Sequence, residues 1–82
     1  MSDTRIADLR REIDALDDQI LAVANRRAAL AREIGALKGG APAYRPEREA
    51  EILRRMAGAN PGPLPAEAVS GIFRAVISCL LY

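Results

Sequence analysis

The longest pattern in the sequence is a stripe of apolar residues, spaced alternately three and four positions apart, in the first half of the chain. The pattern predicts one helix from about Thr4 to about Leu37, with Asp3 or Thr4 as its N-cap. No proline interrupts the stretch, and Gly39 and Gly40 follow it, as is typical of a helix C-terminus. We call the stripe the seam; its members are Ile6, Leu9, Ile13, Leu16, Ile20, Val23, Leu30, Ile34 and Leu37.

Two shorter helices are predicted in the second half. Pro46 is placed to begin one of them, because proline is tolerated in a first helical turn, and Gly58-Ala59-Asn60 lies near its end. The run from Asn60 to Pro65 contains three prolines and so cannot be the interior of a helix. The last of them, Pro65, is expected to open the third helix. Each helix has one apolar face: Ile52, Leu53 and Met56 on the first, and Val69, Ile72, Phe73, Val76, Ile77 and Leu80 on the second. The pattern therefore predicts an all-α chain with one long and two shorter helices.

The length of the first predicted helix favours a dimer. At 1.5 Å per residue this helix is roughly 50 Å long, whereas a compact chain of this size has a diameter nearer to about 30 Å. The remaining residues cannot cover the whole seam, and a second copy of the chain is the simplest partner for an uncovered apolar stripe. We therefore expect residues 1–82 to form a single helical domain within an intertwined antiparallel homodimer.

Composition excludes several kinds of activity. The chain has no histidine, the most common general base and metal ligand, so neither a metal nor another cofactor is expected. The net charge of +1 offers no general attraction to nucleic acid, and the most apolar stretch, Ala75 to Tyr82, is too short to cross a membrane. With one cysteine, Cys79, and no secretory signal pattern, the expected location is the reducing cytoplasm. Any catalysis should depend on positioning and electrostatics.

Cationic side chains on and beside the seam are the candidates for binding an anion. Arg27 takes the seam position between Val23 and Leu30; it either reaches out to solvent or a glutamate, or binds a carboxylate or phosphate through two hydrogen bonds. Arg10 and Lys38 flank the seam roughly 40 Å apart on one helix, too far to share a small ligand. In an antiparallel dimer where residue i faces about 40 minus i, Arg10 would fall between Arg27 and Lys38 of the other subunit.

A second charged cluster, Tyr44-Arg45-Pro46-Glu47-Arg48-Glu49, surrounds the start of the second helix. Arg48 and Glu49 lie in its first turn, where backbone N–H groups can also bind an anion or a hydroxyl group. A purely structural role is equally open, in which Glu47 and Glu49 complement the helix dipole and Arg45 pairs with Glu49. The cluster alone does not decide between the two interpretations.

Taken in order, these segments resemble the all-helical chorismate mutases. The resemblance covers nearly the whole chain and is closest to the mutase domains at the N-terminus of bifunctional chorismate mutase–prephenate dehydratases. The sequence leaves open whether a fused prephenate dehydratase follows in the native protein. It rests on the following stretches: Leu9-Arg10-Arg11-Glu12-Ile13-Asp14-Ala15-Leu16-Asp17, Arg27, Glu33-Ile34-Gly35-Ala36-Leu37-Lys38, Tyr44-Arg45-Pro46-Glu47-Arg48-Glu49, and Ile72-Phe73-Arg74-Ala75-Val76-Ile77-Ser78.

The resemblance implies a cofactor-free Claisen rearrangement of chorismate to prephenate, an isomerase reaction of the shikimate pathway that leads to phenylalanine and tyrosine. Arg27, with Arg10 from the other subunit, would bind the two substrate carboxylates, and Lys38 would donate to the ether oxygen and assist a carboxylate. The absence of histidine agrees with this reaction, because a rearrangement of this kind needs no base, nucleophile or metal. It needs a flexible dianion held in a compact shape.

The resemblance also gives roles to Arg48, which would orient the substrate, and to Glu49 and the backbone N–H of Arg45, which would hold the ring hydroxyl. One departure concerns the third helix, where the family carries a Gln or Glu near the ether oxygen and a small or polar residue one turn earlier. By continuous count these would be position 84, past Tyr82, and Leu80. Either the C-terminal helix is truncated or altered, or this copy is catalytically weakened.

Two other functions stay open on the same fold. A non-catalytic dimerisation or regulatory module is favoured by the missing polar residue of the third helix. An isochorismate pyruvate-lyase would share the fold and the cationic pocket.

Overall fold

Three helices make up most of the chain in the computed structural model, which describes residues 2–39 and 46–79. They are α1 (Ser2–Leu37), α2 (Pro46–Ala59) and α3 (Ala66–Cys79). The prediction of one long and two shorter helices is confirmed. Two details of the helix starts differ: α1 already begins at Ser2, so Asp3 and Thr4 lie in its first turn and do not cap it, and Pro65 precedes α3 without belonging to it.

Backbone hydrogen bonds define the C-terminal end of α1. At the end of α1, the N–H of Lys38 donates to the carbonyl of Ile34 (3.0 Å) and the N–H of Gly39 donates to that of Ala36 (3.1 Å). Gly39 has a φ of 66°, the left-handed conformation that glycine adopts without a steric cost. The predicted glycine C-cap is confirmed at Gly39, and it holds Lys38 one residue beyond the last helical residue.

The turn between α2 and α3 is closed by one side chain. The Nδ2 of Asn60 donates to the carbonyl of Leu64 (2.8 Å), and its Oδ1 accepts a hydrogen bond from the N–H of Gly62 (3.0 Å). Both ends of the amide are therefore used within the six residues that connect the helices. This closed turn lets α2 and α3 pack against each other.

A small apolar core lies between α2 and α3. Ile52 of α2 and Ile77 of α3 are almost fully buried, with 3% and 4% of their surface exposed. Leu53, Met56 and Phe73 pack around them and are partly buried. The predicted apolar faces of the two shorter helices therefore meet, as their spacing indicated.

The long helix α1 is left largely uncovered. The molecule measures 57 × 24 × 15 Å with a radius of gyration of 16.4 Å, compared with about 12 Å for a compact chain of this length. Seam residues remain exposed in the single chain, for example Ile20 at 65% and Val23 at 67%, and α1 has only sparse contacts with α2 and α3. Despite its length, neither α1 nor any other described helix is apolar enough to cross a lipid bilayer.

Candidate active site

A pocket at the contact between α1 and α2 brings two of the predicted site residues together. It has a volume of about 200 Å³ and is lined by Arg27 of α1, Arg48 of α2 and three apolar residues, Leu30, Ala31 and Ile34. Both arginine side chains are half-buried, and Ala31 is 3% exposed. Apolar walls lower the local dielectric constant and so strengthen the attraction between a guanidinium and an anion. The pocket is therefore suited to a small, negatively charged ligand.

Lys38, the only lysine in the chain, lies on the same side of α1 as this pocket. It follows Arg27 by 11 residues, which corresponds to three helical turns, a rise of roughly 16 Å and a rotation of only about 20°. Its side chain is exposed and does not line the pocket in the single chain. The helix thus directs Lys38 towards the pocket side without bringing it into direct contact with Arg27.

Arg48 is held by an ion pair that the sequence analysis did not anticipate. Its Nη1 donates to the Oε1 of Glu51 at 2.5 Å, with 37% of the arginine side chain and 61% of the glutamate side chain exposed. The signal was present in the sequence, since an acidic residue three positions after an arginine on a helix lies within reach of it. The neighbouring Glu49 is half-buried but does not line the pocket.

The other predicted site residues either lie away from this pocket in a single chain or fall outside the described residues. Arg10 is exposed on α1, 17 residues before Arg27, a distance of roughly 25 Å along the helix. Arg45 lies outside the described residues, as do Tyr44 and Leu80. Among the described residues, one chain therefore brings only Arg27 and Arg48 of the predicted set to this pocket.

Two apolar grooves on either side of α3 extend from the same arginine. The larger, of about 490 Å³, is lined by Leu16, Gln19, Ile20, Val23, Ala24, Arg27, Phe73 and Val76. The second, of about 320 Å³, is lined by Leu21, Ala24, Asn25, Arg27, Ala28, Ala75 and Val76. Arg27 and Val76 border both grooves. The two grooves could not be predicted from the sequence, because they depend on where α3 lies along α1.

Comparison with known proteins identifies the family. The chorismate mutase type II family model matches residues 9–81. The chain is 51% identical over 72 residues to a bifunctional chorismate mutase/prephenate dehydratase of Neisseria gonorrhoeae, covering 87% of this chain and 20% of that protein. It is 42% identical over 82 residues to the protein of the same description from Aquifex aeolicus, covering 93% and 23%. The chain thus spans about a fifth of the length of these relatives.

A solved structure agrees with the sequence relatives. Form I of chorismate mutase from Thermus thermophilus matches with a TM-score of 0.84 and 38% identity, over 90% of this chain and 95% of that chain. The similarity therefore extends over nearly the whole length of a known mutase structure, and the resemblance drawn from the sequence is confirmed. The chain belongs to the chorismate mutase type II family.

Proposed function

We propose that this chain is an active chorismate mutase, which converts chorismate to prephenate without a cofactor and works as an intertwined antiparallel homodimer. The observation that carries the proposal is the pocket that Arg27 and Arg48 line together with Leu30, Ala31 and Ile34. Two cationic side chains on one small pocket fit a compact dicarboxylate. Membership of a chorismate mutase family supports this choice of substrate.

The reaction demands orientation above all. The ether C–O bond of chorismate breaks while a C–C bond forms in the same molecule, so no atom is gained or lost. The barrier falls when a flexible dianion is held in the folded shape of the transition state. Arg27 would bind one carboxylate through two hydrogen bonds, and Arg48 would fix the orientation of the bound substrate. Both side chains are supplied by helices, which hold them more firmly than loops would.

Lys38 would stabilise the charge that develops during the rearrangement. As the C–O bond breaks, negative charge builds up on the ether oxygen. An ammonium group that is already in position stabilises this charge more strongly than water does. Lys38 is suited to this role because it follows Arg27 on the same side of α1. In the proposal, Glu49 and the backbone N–H of Arg45 hold the ring hydroxyl and so define the remaining side of the site.

The exposed seam supports a second copy of the chain as the partner. Its positions are nearly symmetric about Ile20, since Ile6 and Ile34 lie 14 residues on either side of it, and Ile13 and Arg27 lie seven. Two antiparallel seams therefore match when residue i faces about 40 minus i. Arg10 then faces position 30 of the other helix, roughly 5 Å along the axis from Arg27 and roughly 12 Å from Lys38.

The two grooves beside α3 support a dimer in which the two chains intertwine. They fit less well with a dimer in which only the two α1 helices lie side by side. They leave apolar surface open on both sides of Val76, so a single straight helix would fill one groove and leave the other exposed. A partner that contributes more than one helix would cover both and would exclude water from Arg27. Exclusion of water strengthens each charge–charge interaction in the site.

The bifunctional relatives suggest the setting of this activity. We infer that the chain is the mutase part of a protein that also carries a prephenate dehydratase, which would consume the product directly. A cytoplasmic location fits a chain whose single cysteine cannot form an intrachain disulfide. By continuous count the polar residue that the family carries on the third helix falls at position 84, past Tyr82, and Leu80 lies outside the described residues.

The proposal is tested by comparing the chain with its Lys38→Ala variant. We expect the chain to consume chorismate and form prephenate, and the variant to lose about 10²- to 10³-fold in kcat, as is typical when one preorganised donor is removed. Arg32→Ala is the matched control, because Arg32 is an exposed cation on α1 but lies about 140° around the helix from Arg27. The control should stay within about twofold of the unmodified chain.

Other outcomes would select other functions. Equal rates for the chain and Lys38→Ala would remove Lys38 from the mechanism. Tight binding of an oxabicyclic dicarboxylate that mimics the transition state, without turnover of chorismate, would identify a non-catalytic module. Release of pyruvate and salicylate from isochorismate, in the absence of mutase activity, would identify a lyase.

A further inference from the structure

We propose that Glu51 is a positioning residue, which holds the guanidinium of Arg48 at the pocket from the solvent side; this inference rests on the proposed function of the pocket. The Oε1 of Glu51 accepts a hydrogen bond from the Nη1 of Arg48 at 2.5 Å. Arg48 lines the pocket and Glu51 does not. The carboxylate therefore contacts the guanidinium without occupying the space that a ligand would fill.

The bond to Glu51 restricts the freedom of the Arg48 side chain. A guanidinium presents five N–H donors in a planar fork, and the bond to Glu51 engages one nitrogen and leaves the orientation of the others defined. Without this bond the long side chain would have more rotamers to lose when it binds a substrate. If the Arg48 side chain is already ordered in the free protein, less conformational entropy is lost when substrate binds, and the substrate binds more tightly.

Glu51 also changes the balance of charge around the pocket. Arg27 and Arg48 line one pocket of about 200 Å³, and two cations between apolar walls repel each other. The carboxylate of Glu51 offsets part of that repulsion and favours the conformation in which both arginines remain at the pocket. It does so from a largely exposed position, with 61% of its side chain in contact with solvent.

The location of Glu51 outside the pocket distinguishes two possible roles, positioning Arg48 and competing with the substrate for it. A carboxylate that competed with substrate would lie inside the pocket, and its removal would tighten binding. Glu51 lies three residues after Arg48, is largely exposed and does not line the pocket, so its removal should weaken binding. The sign of the change in KM therefore separates the two roles.

The test uses Glu51→Ala, Glu51→Asp and Arg48→Ala, together with the double variant Glu51→Ala/Arg48→Ala. We expect Glu51→Ala to raise KM for chorismate by about three- to tenfold, the cost of ordering one long side chain on binding, with kcat changed less than about twofold. Glu51→Asp should recover part of the loss. In the Arg48→Ala background, Glu51→Ala should have no further effect, because the side chain that it positions is absent.

Glu67→Gln serves as the control, since Glu67 is an exposed acid in the first turn of α3 and its replacement changes the net charge by the same amount. Thermal unfolding of each variant checks that it is folded, and the dissociation constant of the oxabicyclic dicarboxylate should change in parallel with KM. A lower KM in Glu51→Ala, an unchanged KM, or an equal effect with and without Arg48 would each overturn the inference. An unmodified chain that neither turns over chorismate nor binds the mimic would instead contradict the proposed function itself.

Discussion

Arg27 borders each of the three cavities described above, and its place on the seam explains why. It lies at a position where the pattern of α1 otherwise carries apolar residues, and it is half-buried even in the single chain. A dimer would remove it further from water, and a buried guanidinium is costly unless an anion pairs with it. In the proposed site the carboxylate of the substrate is one such anion, beside the interaction that Arg27 already makes within the chain. In this proposal Arg27 serves binding, and its burial in the dimer carries a cost in stability.

This trade-off leads to a prediction for Arg27→Leu, which completes the apolar seam. We expect the thermal midpoint of the dimer to rise, because an apolar residue replaces a cation in an apolar contact. Mutase activity should fall by at least about tenfold, since the interaction with a carboxylate is lost. Thermal unfolding followed by circular dichroism and a chorismate assay measure the two effects. A lower midpoint would show that the protein itself stabilises the Arg27 charge.

At the level of the elements, the turn between α2 and α3 controls how the two short helices present their side chains. Asn60 uses both ends of its amide to close this turn. The core residues Ile52 and Ile77 can meet only if the helices leave the turn at the correct angle. Because Arg48 is carried by α2, a loosened turn would also disturb the pocket.

We therefore predict that Asn60→Ala lowers the free energy of unfolding by about 1–2 kcal/mol, as expected for the loss of two hydrogen bonds. Asn60→Asp keeps the acceptor for the N–H of Gly62 but loses the donor to Leu64, so its cost should be intermediate. Asn25→Ala provides the control, because the Nδ2 of Asn25 bonds to Leu21 within α1 and alanine is the better helix former. Urea unfolding measures all three. An equal loss in Asn60→Ala and Asn25→Ala would contradict the role of the turn.

At the level of the whole molecule, the shape of the chain and its candidate site have the same cause. A molecule 57 Å long and 15 Å thick cannot bury its own seam. It also cannot bring Arg10 to Arg27, because both lie on the same straight helix. An antiparallel partner would resolve both problems at once, by covering the seam and by supplying its own Arg10 to the neighbouring pocket.

The proposed sharing of each site between two subunits predicts complementation. Arg10→Ala and Arg27→Ala should each be nearly inactive alone. When the two are unfolded, mixed in equal amounts and refolded, about half of the dimers should be mixed, each with one intact site, so that about a quarter of the unmodified activity returns. If Arg10 and Arg27 act within one chain, no mixed dimer has an intact site and the activity stays low. Refolding each variant separately is the control.

The sequence alone was sufficient to predict the helices and the glycine cap at Gly39, whereas the partner for the seam stays a prediction. These features follow from local periodicity and helix length, which do not depend on distant contacts. The start of α1 was predicted less well, because Asp3 and Thr4 continue the helix where a cap had been expected. The pattern and the resemblance were sufficient to name the candidate cations. They did not show which of these cations lie together in one pocket of a single chain.

Only the tertiary structure decided which of those cations share a pocket. Arg27 and Arg48 line the same pocket because α2 returns to α1 beside Ala31. The grooves beside α3 likewise arise from the placement of one helix along another. Local sequence determines where a helix forms and which face is apolar, whereas the meeting of two faces depends on packing between residues far apart in the chain.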